Sequence, residues 1–195
     1  MDAQTIAAYN RNAAGFARDW EEDQQPPADL RAAVARYFAP GPTIDVGCGS
    51  GRDTAWLHDA GFDVVGVDAA ATLLAEASRR HPGVRFELDA LPALATLPRG
   101  HYANVLCETV LMHLDVSNLV SSVATLTALL APRGTLYLTW RVTEDTHRRD
   151  EHDRLYAAFD ASLVRQALGD VALLLDEDCL SASSGKRIHR LIARR

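Results

Sequence analysis

Apolar positions recur along this chain in two rhythms, helical and strand-like, separated by clusters of proline, glycine and charge. In residues 3–20, Ile6, Tyr9, Ala13, Phe16, Ala17 and Trp20 fall three and four apart, which predicts one amphipathic helix. The stretch 21–27, Glu-Glu-Asp-Gln-Gln-Pro-Pro, stops it. A second helix is predicted from about Ala28 to Phe38, closed by Pro40-Gly41-Pro42. A short buried strand follows at Ile44–Val46, then a glycine-containing loop, a helix ending at Gly61, and a strand from Val64 to Val67 that ends on Asp68.

The same alternation continues to the C-terminus. Residues 71–80 read as a helix stopped by His81-Pro82-Gly83, Val84–Leu88 as a strand, and Tyr102–Cys107 as another. Leu119, Val123, Leu126 and Leu130 form an apolar helical stripe ended by Pro132-Arg133-Gly134, and Thr135–Arg141 is a strand. Leu155, Phe159 and Leu163 repeat every four residues, predicting a helix over Asp153–Leu168 closed by Gly169. Strands at Val171–Leu175 and Lys186–Ala193, joined by a polar turn over 176–185, complete the chain. Strands alternating with helices predict an α/β protein built on a largely parallel sheet.

The candidate chemistry lies in Thr43–Asp68. Gly47, Gly49 and Gly51 stand at alternate positions, so the main chain can turn sharply and approach a ligand closely. Asp68 ends the next strand seventeen positions after Gly51, placed to accept hydrogen bonds from ribose hydroxyls. Asp45, just before the glycines, would repel a neighbouring pyrophosphate and suits an ammonium group. This Asp-x-Gly-x-Gly-x-Gly run resembles motif I of the class I S-adenosylmethionine-dependent methyltransferases, and Asp68 resembles their motif II. The resemblance extends from about Tyr9 to the C-terminus, and its closest look is to small bacterial enzymes grouped loosely with the tellurite-resistance type.

That resemblance implies a Rossmann-like class I methyltransferase fold, a mostly parallel seven-stranded sheet with an antiparallel last strand and helices on both faces. It implies one methyltransferase domain over 1–195 with N-terminal lid helices in about 1–39, S-adenosyl-L-methionine as cofactor and S-adenosyl-L-homocysteine as product. Carried over position by position, Asp45 anchors the donor's ammonium, Gly47, Cys48, Gly49 and Gly51 pass along it with Arg52 in support, and Asp68 with Ala69 holds the ribose. Asp89 takes the adenine amine beside Ala90 and Leu91, or serves as a helix N-cap, and the two roles are compatible. Cys107 and Glu108 pass the methionine moiety, and Tyr9 is the lid aromatic, with Trp20 a second candidate or a packing residue. Asn104 stands where family members often carry aspartate.

For catalysis, His113, Glu108 and His147 are the side chains able to take a proton, although His113 also reads as a structural loop histidine. The irregular polar stretch 140–153 begins at a strand's C-terminal end, where ligands of open α/β sheets bind. There Trp140 and Arg141 are candidates for stacking on a substrate and forking onto its carboxylate, with Tyr9 alongside. His147, Asp150, Glu151 and His152 match no metal motif, and a solvated loop is the expectation, with no metal.

Composition narrows the acceptor. The 195 residues suit a single domain, and 26 acidic against 20 basic residues give a net charge of −6, which does not indicate nucleic-acid binding. Three separated cysteines argue against disulfides or a zinc site. No basic-then-apolar leader and no long apolar run occur, so a cytoplasmic protein without membrane attachment is expected, as monomer or homodimer. No Asn/Asp-Pro-Pro-aromatic or Pro-Cys motif follows the fourth strand, which favours methylation of a small molecule at O, N or S. The competing readings are a non-catalytic cofactor-binding or regulatory module, an RNA methyltransferase, and a nicotinamide-dependent oxidoreductase.

Overall fold

The computed structural model describes residues 1–143 and 145–195. Its main sheet is built from β1 (Pro42–Val46), β2 (Asp63–Asp68), β3 (Arg85–Leu88), β4 (Tyr102–Cys107) and β5 (Leu130–Arg141), with β8 (Ala172–Leu180) and β9 (Arg187–Arg194). A two-stranded ribbon, β6 (Arg148–Arg149) with β7 (Leu155–Tyr156), lies apart from it. The order is β3-β2-β1-β4-β5-β9-β8. β1 to β5 pair in parallel, with Ile44 beside both Val65 and Val105, whereas β9 runs antiparallel to β5 and β8. β8 therefore points the same way as β1 to β5, and the loop after it opens at the same sheet edge as the glycine loop.

The period-two alternation of the strands sorts the core onto two faces. Val105, Cys107, Leu136, Leu138, Leu191 and Ala193 face one side, with Val123 and Leu126 of α6 (Leu119–Leu129) and Val164 of α7 (Ala161–Ala167). Val64, Leu106, Tyr137 and Ile192 face the other, under Leu30 and Val34 of α3 (Ala28–Tyr37) and Leu57 of α4 (Arg52–Asp59). Asn104 is fully buried on β4, where its amide donates to Ala39 O and Thr43 Oγ1 while its oxygen accepts from Ala39 N. A carboxylate cannot make the two donations, so the departure from aspartate has a local cause. Among the described residues, no helix is long and apolar enough to cross a membrane.

Three stretches differ from the pattern-based expectation. The helix expected over 3–20 is broken at Asn12 into α1 (Ala3–Arg11) and α2 (Ala13–Arg18), followed by a wide turn at Asp19–Asp23. Asn12 sits at φ −134°, and its amide packs where a Cβ on Gly15 would be, a side chain competing with the helix it interrupts. The expected helix over Asp153–Leu168 shrinks to α7, because the preceding backbone bonds elsewhere. Leu155 N donates to Thr5 Oγ1, Ala157 N donates to Met112 O, and Leu155–Tyr156 pair with Arg148–Arg149. The polar residues 176–180, expected in a turn, extend β8, since Asp176 and Asp178 are neutralised by Arg165, His189 and Arg187. The turn itself is confined to 181–186.

Candidate active site

The glycine loop is strapped to the end of β2, with Gly47 N and Cys48 N both donating to Val67 O at 2.7 and 3.0 Å. Gly47 and Gly49 hold φ of 77° and 59°, and a Cβ at either would meet Val110 Cγ2 at 2.3 Å or Trp20 Cζ3 at 2.8 Å. Both glycines are therefore required by left-handed backbone and by close approach of neighbours. Gly51 instead begins α4 at φ 84°, and its added Cβ would strike Phe86, so its role is packing behind the cavity wall.

Next to the loop, α1, the turn at Asp19–Asp23 and the ends of β1, β2, β4 and β5 enclose a cavity of about 130 Å³. Three carboxylates from successive strand ends reach it. Asp45 is 2% exposed and accepts from Thr54 Oγ1 at 2.6 Å. Burial, against that hydrogen bond and reinforced by Asp53, Asp68 and Glu108, pushes its carboxyl up to about 8. Asp68 accepts from Gly49 N at 3.0 Å and Ala70 N at 2.8 Å, one on each oxygen. Burial raises its pKa, opposed by those backbone N–H groups. Glu108 accepts from Thr139 Oγ1 at 2.7 Å, and burial lifts it to about 7. A carboxylate has about four lone-pair sites, so Asp68 retains capacity for a further donor. Ser50 Oγ, also on the cavity wall, is buried with no hydrogen-bond partner among the described residues.

The N-terminal helices roof this space. Trp20 rests on Gly49, stacked 5.7 Å from Phe16, and its carbonyl accepts from Arg52, which is doubly hydrogen-bonded to Asp53 at 2.9 Å. Tyr9 and His113 lie against each other across the cavity. His113 Nδ1 is 2.6 Å from Leu155 O; a carbonyl only accepts, so Nδ1 carries the hydrogen and Nε2 accepts from the Tyr9 hydroxyl at 2.9 Å. Burial lowers His113 to about 4, so it is neutral and its free lone pair is occupied. That arrangement favours the structural reading of His113.

Of the residues singled out in the sequence, Tyr9, Trp20, Asp45, Gly47, Cys48 and Gly49 line this cavity, as do Arg52, Asp68, Ala69, Glu108, His113 and Arg141. Others lie elsewhere. Asp89 bonds Ala90 N, Thr96 N and Thr96 Oγ1, capping its own loop, and Leu91 O accepts the Met1 amino group. Asp89, Ala90 and Leu91 are not part of the wall, whereas Met1 is. Cys107 is wholly buried behind it, and burial pushes its thiol up. The expected stacking of Trp140 on a substrate is corrected. Trp140 is 3% exposed, stacked 4.5 Å from His189 and packed on Phe159, because its position on β5 points to the α7 face. His147 accepts from Ala158 N on the exterior, away from the cavity. Among the described residues no His, Cys, Asp and Glu cluster has the arrangement of a metal site.

The sequence reading missed Ser181, Ser183 and Ser184, which line the cavity from the β8–β9 turn, together with Thr109, Val110 and Ile6. The signal for the serines was topological, since a strand parallel to β1 places its following turn at the ligand edge.

Residues 44–134 match the family described as "Methyltransferase domain". The chain is 32% identical over 143 residues to trans-aconitate 2-methyltransferase of Methylobacterium nodulans, covering 70% of this chain and 53% of that protein. It is 34% identical over 130 residues to a ubiquinone biosynthesis O-methyltransferase of Bordetella avium, covering 64% and 50%. The chain thus spans about half the length of these curated relatives. Among solved structures it is similar to magnesium protoporphyrin IX methyltransferase from Synechocystis PCC 6803 with bound S-adenosylmethionine, at a TM-score of 0.75 and 22% identity over 100% of this chain and 98% of that one. A second likeness is to Burkholderia thailandensis 1,6-didemethyltoxoflavin-N1-methyltransferase, at a TM-score of 0.66 and 22% identity over 100% and 91%. At these identities the structural likenesses establish the fold alone.

Proposed function

We propose that this chain, which belongs to the class I S-adenosylmethionine-dependent methyltransferase family, transfers a methyl group from that donor to an oxygen, nitrogen or sulfur atom of a small-molecule acceptor. The observation that carries the reading is the convergence of Asp45, Asp68 and Glu108 on one roofed cavity beside glycines that admit no side chain. The curated relatives named for methylation of small molecules support it.

The residues present suit the donor. Asp45 and Glu108, whose carboxyl pKa values burial has raised, ionise in favour of a cationic ligand, Asp68 has lone pairs left for ribose hydroxyls, and Ser50, with an unpartnered hydroxyl, is part of the cavity wall. S-adenosylmethionine, when bound, supplies a methyl group on a sulfonium whose leaving group is a neutral thioether, so no acid is needed. The work left to this chain is positioning and exclusion of water. The glycine loop fixes the main chain, Tyr9 and Trp20 close the roof, and the bond from Tyr9 to His113 ties that roof to the β4 end. Glu108, near 7, is the cavity group placed to take a proton from an acceptor that arrives with one.

Calorimetric titration with S-adenosylmethionine and, separately, NADH tests the reading. The donor binds and NADH does not, and Asp68→Asn weakens donor binding at least tenfold, about 1.4 kcal/mol for lost charge-assisted bonds. Equal affinity in a folded Asp68→Asn protein would refute the ribose assignment, and absence of donor binding the whole reading.

A further inference from the structure

The cavity wall carries charge of both signs. Asp45, Asp68 and Glu108 share that wall with Arg141 at the close of β5 and with the serines of the β8–β9 turn. Arg141 is half-buried, yet among the described residues it has no hydrogen bond or ion pair, and its guanidinium only stands 5.9 Å from the Tyr156 ring. Arg148, 5.8 Å from the same ring, likewise has no carboxylate partner among the described residues. Arg154, the third guanidinium at that ring, is neutralised by Asp150. A guanidinium in the cavity wall with no carboxylate partner among the described residues is available to an anion from outside the chain. Ser181, 6% exposed, is held by a 3.1 Å contact to Ser183 Oγ, so the turn presents hydroxyls in fixed positions on the same wall.

Resting on the methyl-transfer reading above, we infer that Arg141 and the Ser181–Ser184 turn form the acceptor's anion subsite, and that the acceptor is a small carboxylic acid. A planar guanidinium matches a carboxylate in a two-pronged contact, and serine hydroxyls donate to its remaining lone pairs. A single formal positive charge suits a monoanion. A phosphate dianion is disfavoured by the three acidic side chains that share the cavity. The donor's positive charge is drawn to the acidic side chains and the acceptor's negative charge to Arg141.

The test uses the full chain loaded with S-adenosylhomocysteine, followed by thermal shift and calorimetry. Probes are acetate, propionate and benzoate, their neutral amides, phenyl phosphate, and sodium chloride at matched ionic strength. At least one acid stabilises the loaded protein saturably while its amide does not. Arg141→Gln weakens that acid at least tenfold, Arg141→Lys less, and both variants bind S-adenosylmethionine within twofold of the unaltered chain. Three outcomes overturn the inference: no acid exceeding sodium chloride, phenyl phosphate outcompeting every acid, or an Arg141→Gln protein whose donor affinity has fallen tenfold, which would assign Arg141 to the donor's own carboxylate. Failure of the unaltered chain to bind S-adenosylmethionine strikes the underlying reading instead, so the two failures are distinct.

Discussion

Asp45→Asn should make the ligand-free protein more stable while making it a poorer donor binder. Asp45 is 2% exposed, and burial moves its carboxyl from the ordinary 3.8 to about 8. Between those values the folded chain keeps a proton that the unfolded chain has released, so stability falls as pH rises through that window and levels off above about 8. The full displacement corresponds to roughly 5 kcal/mol at most, and relaxation of a real interior leaves about 2 kcal/mol as the expected share. Asparagine keeps the oxygen that accepts from Thr54 Oγ1 and has no charge to bury. The Tm difference in favour of Asp45→Asn should therefore widen by about 4–8 °C between pH 5 and pH 8, at roughly 2–4 °C per kcal/mol for a domain of this size. Saturating S-adenosylmethionine should raise Tm less in the variant, with donor affinity lower by at least about tenfold, or 1.4 kcal/mol. Differential scanning calorimetry at the two pH values, with and without donor, reads all of this. A Tm gap that stays constant with pH, or an asparagine variant that melts lower at pH 8, would refute the claim that Asp45 is kept for binding at the expense of stability.

Two further substitutions probe the cavity wall and its neighbour. Gly49→Ala places a Cβ at φ 59° and 2.8 Å from Trp20 Cζ3; left-handed strain of about 1–2 kcal/mol should lower Tm by about 3–6 °C and weaken donor binding, and an unchanged melt would show that Trp20 and the loop adjust freely. Trp140→Phe removes part of the stack on His189 and should lower Tm, yet leave the donor dissociation constant within twofold, whereas a large loss of binding with normal melting would return Trp140 to the site.

The sequence made the first half of the site legible because its requirements are local. A left-handed backbone at Gly47 and Gly49 and a buried acid at a strand end are written in adjacent residues, and Asp45, Asp68 and Glu108 all reach the cavity. Periodicity misled where polar side chains found partners distant in sequence. Leu155, Phe159 and Leu163 repeat as a helix would, but the segment around Leu155 is held extended by Thr5 and Met112, more than forty residues away in the chain. Asp176 and Asp178 read as turn residues, yet cross-strand pairing with His189 at 2.7 Å makes them strand residues. Asp89 carries the same residue type at the same kind of strand end as Asp68 but turns to Thr96, since a nearby hydroxyl and two backbone N–H groups satisfy it within its own loop.

The serine turn shows what kind of information a linear reading lacks. Nothing in Ser181, Ser183 and Ser184 marks them as other than solvated loop residues, and their place follows only from the direction of β8. β9 enters antiparallel to β5, and β8 pairs antiparallel to β9, so β8 is restored to the direction of the five parallel strands. Its C-terminal turn is carried to the edge where β5 delivers Arg141, with Val142 N donating to Arg187 O to hold the two strand ends together. The connection from β5 to β8 runs through α7, and β9 then returns antiparallel between them, so the serine turn that links β8 to β9 is a second polar loop at the mouth of the cavity. Asp45 and Asp68 thus reach the cavity from residues close in sequence to the glycine loop, whereas Glu108, Arg141 and the serines are brought to it through topology. Substitutions at Arg141, Ser181, Ser183 and Ser184 should accordingly alter acceptor choice while leaving donor binding intact, a separation that competition between two acids at fixed donor concentration would measure directly. Parallel losses of donor and acceptor binding across all four positions would contradict it.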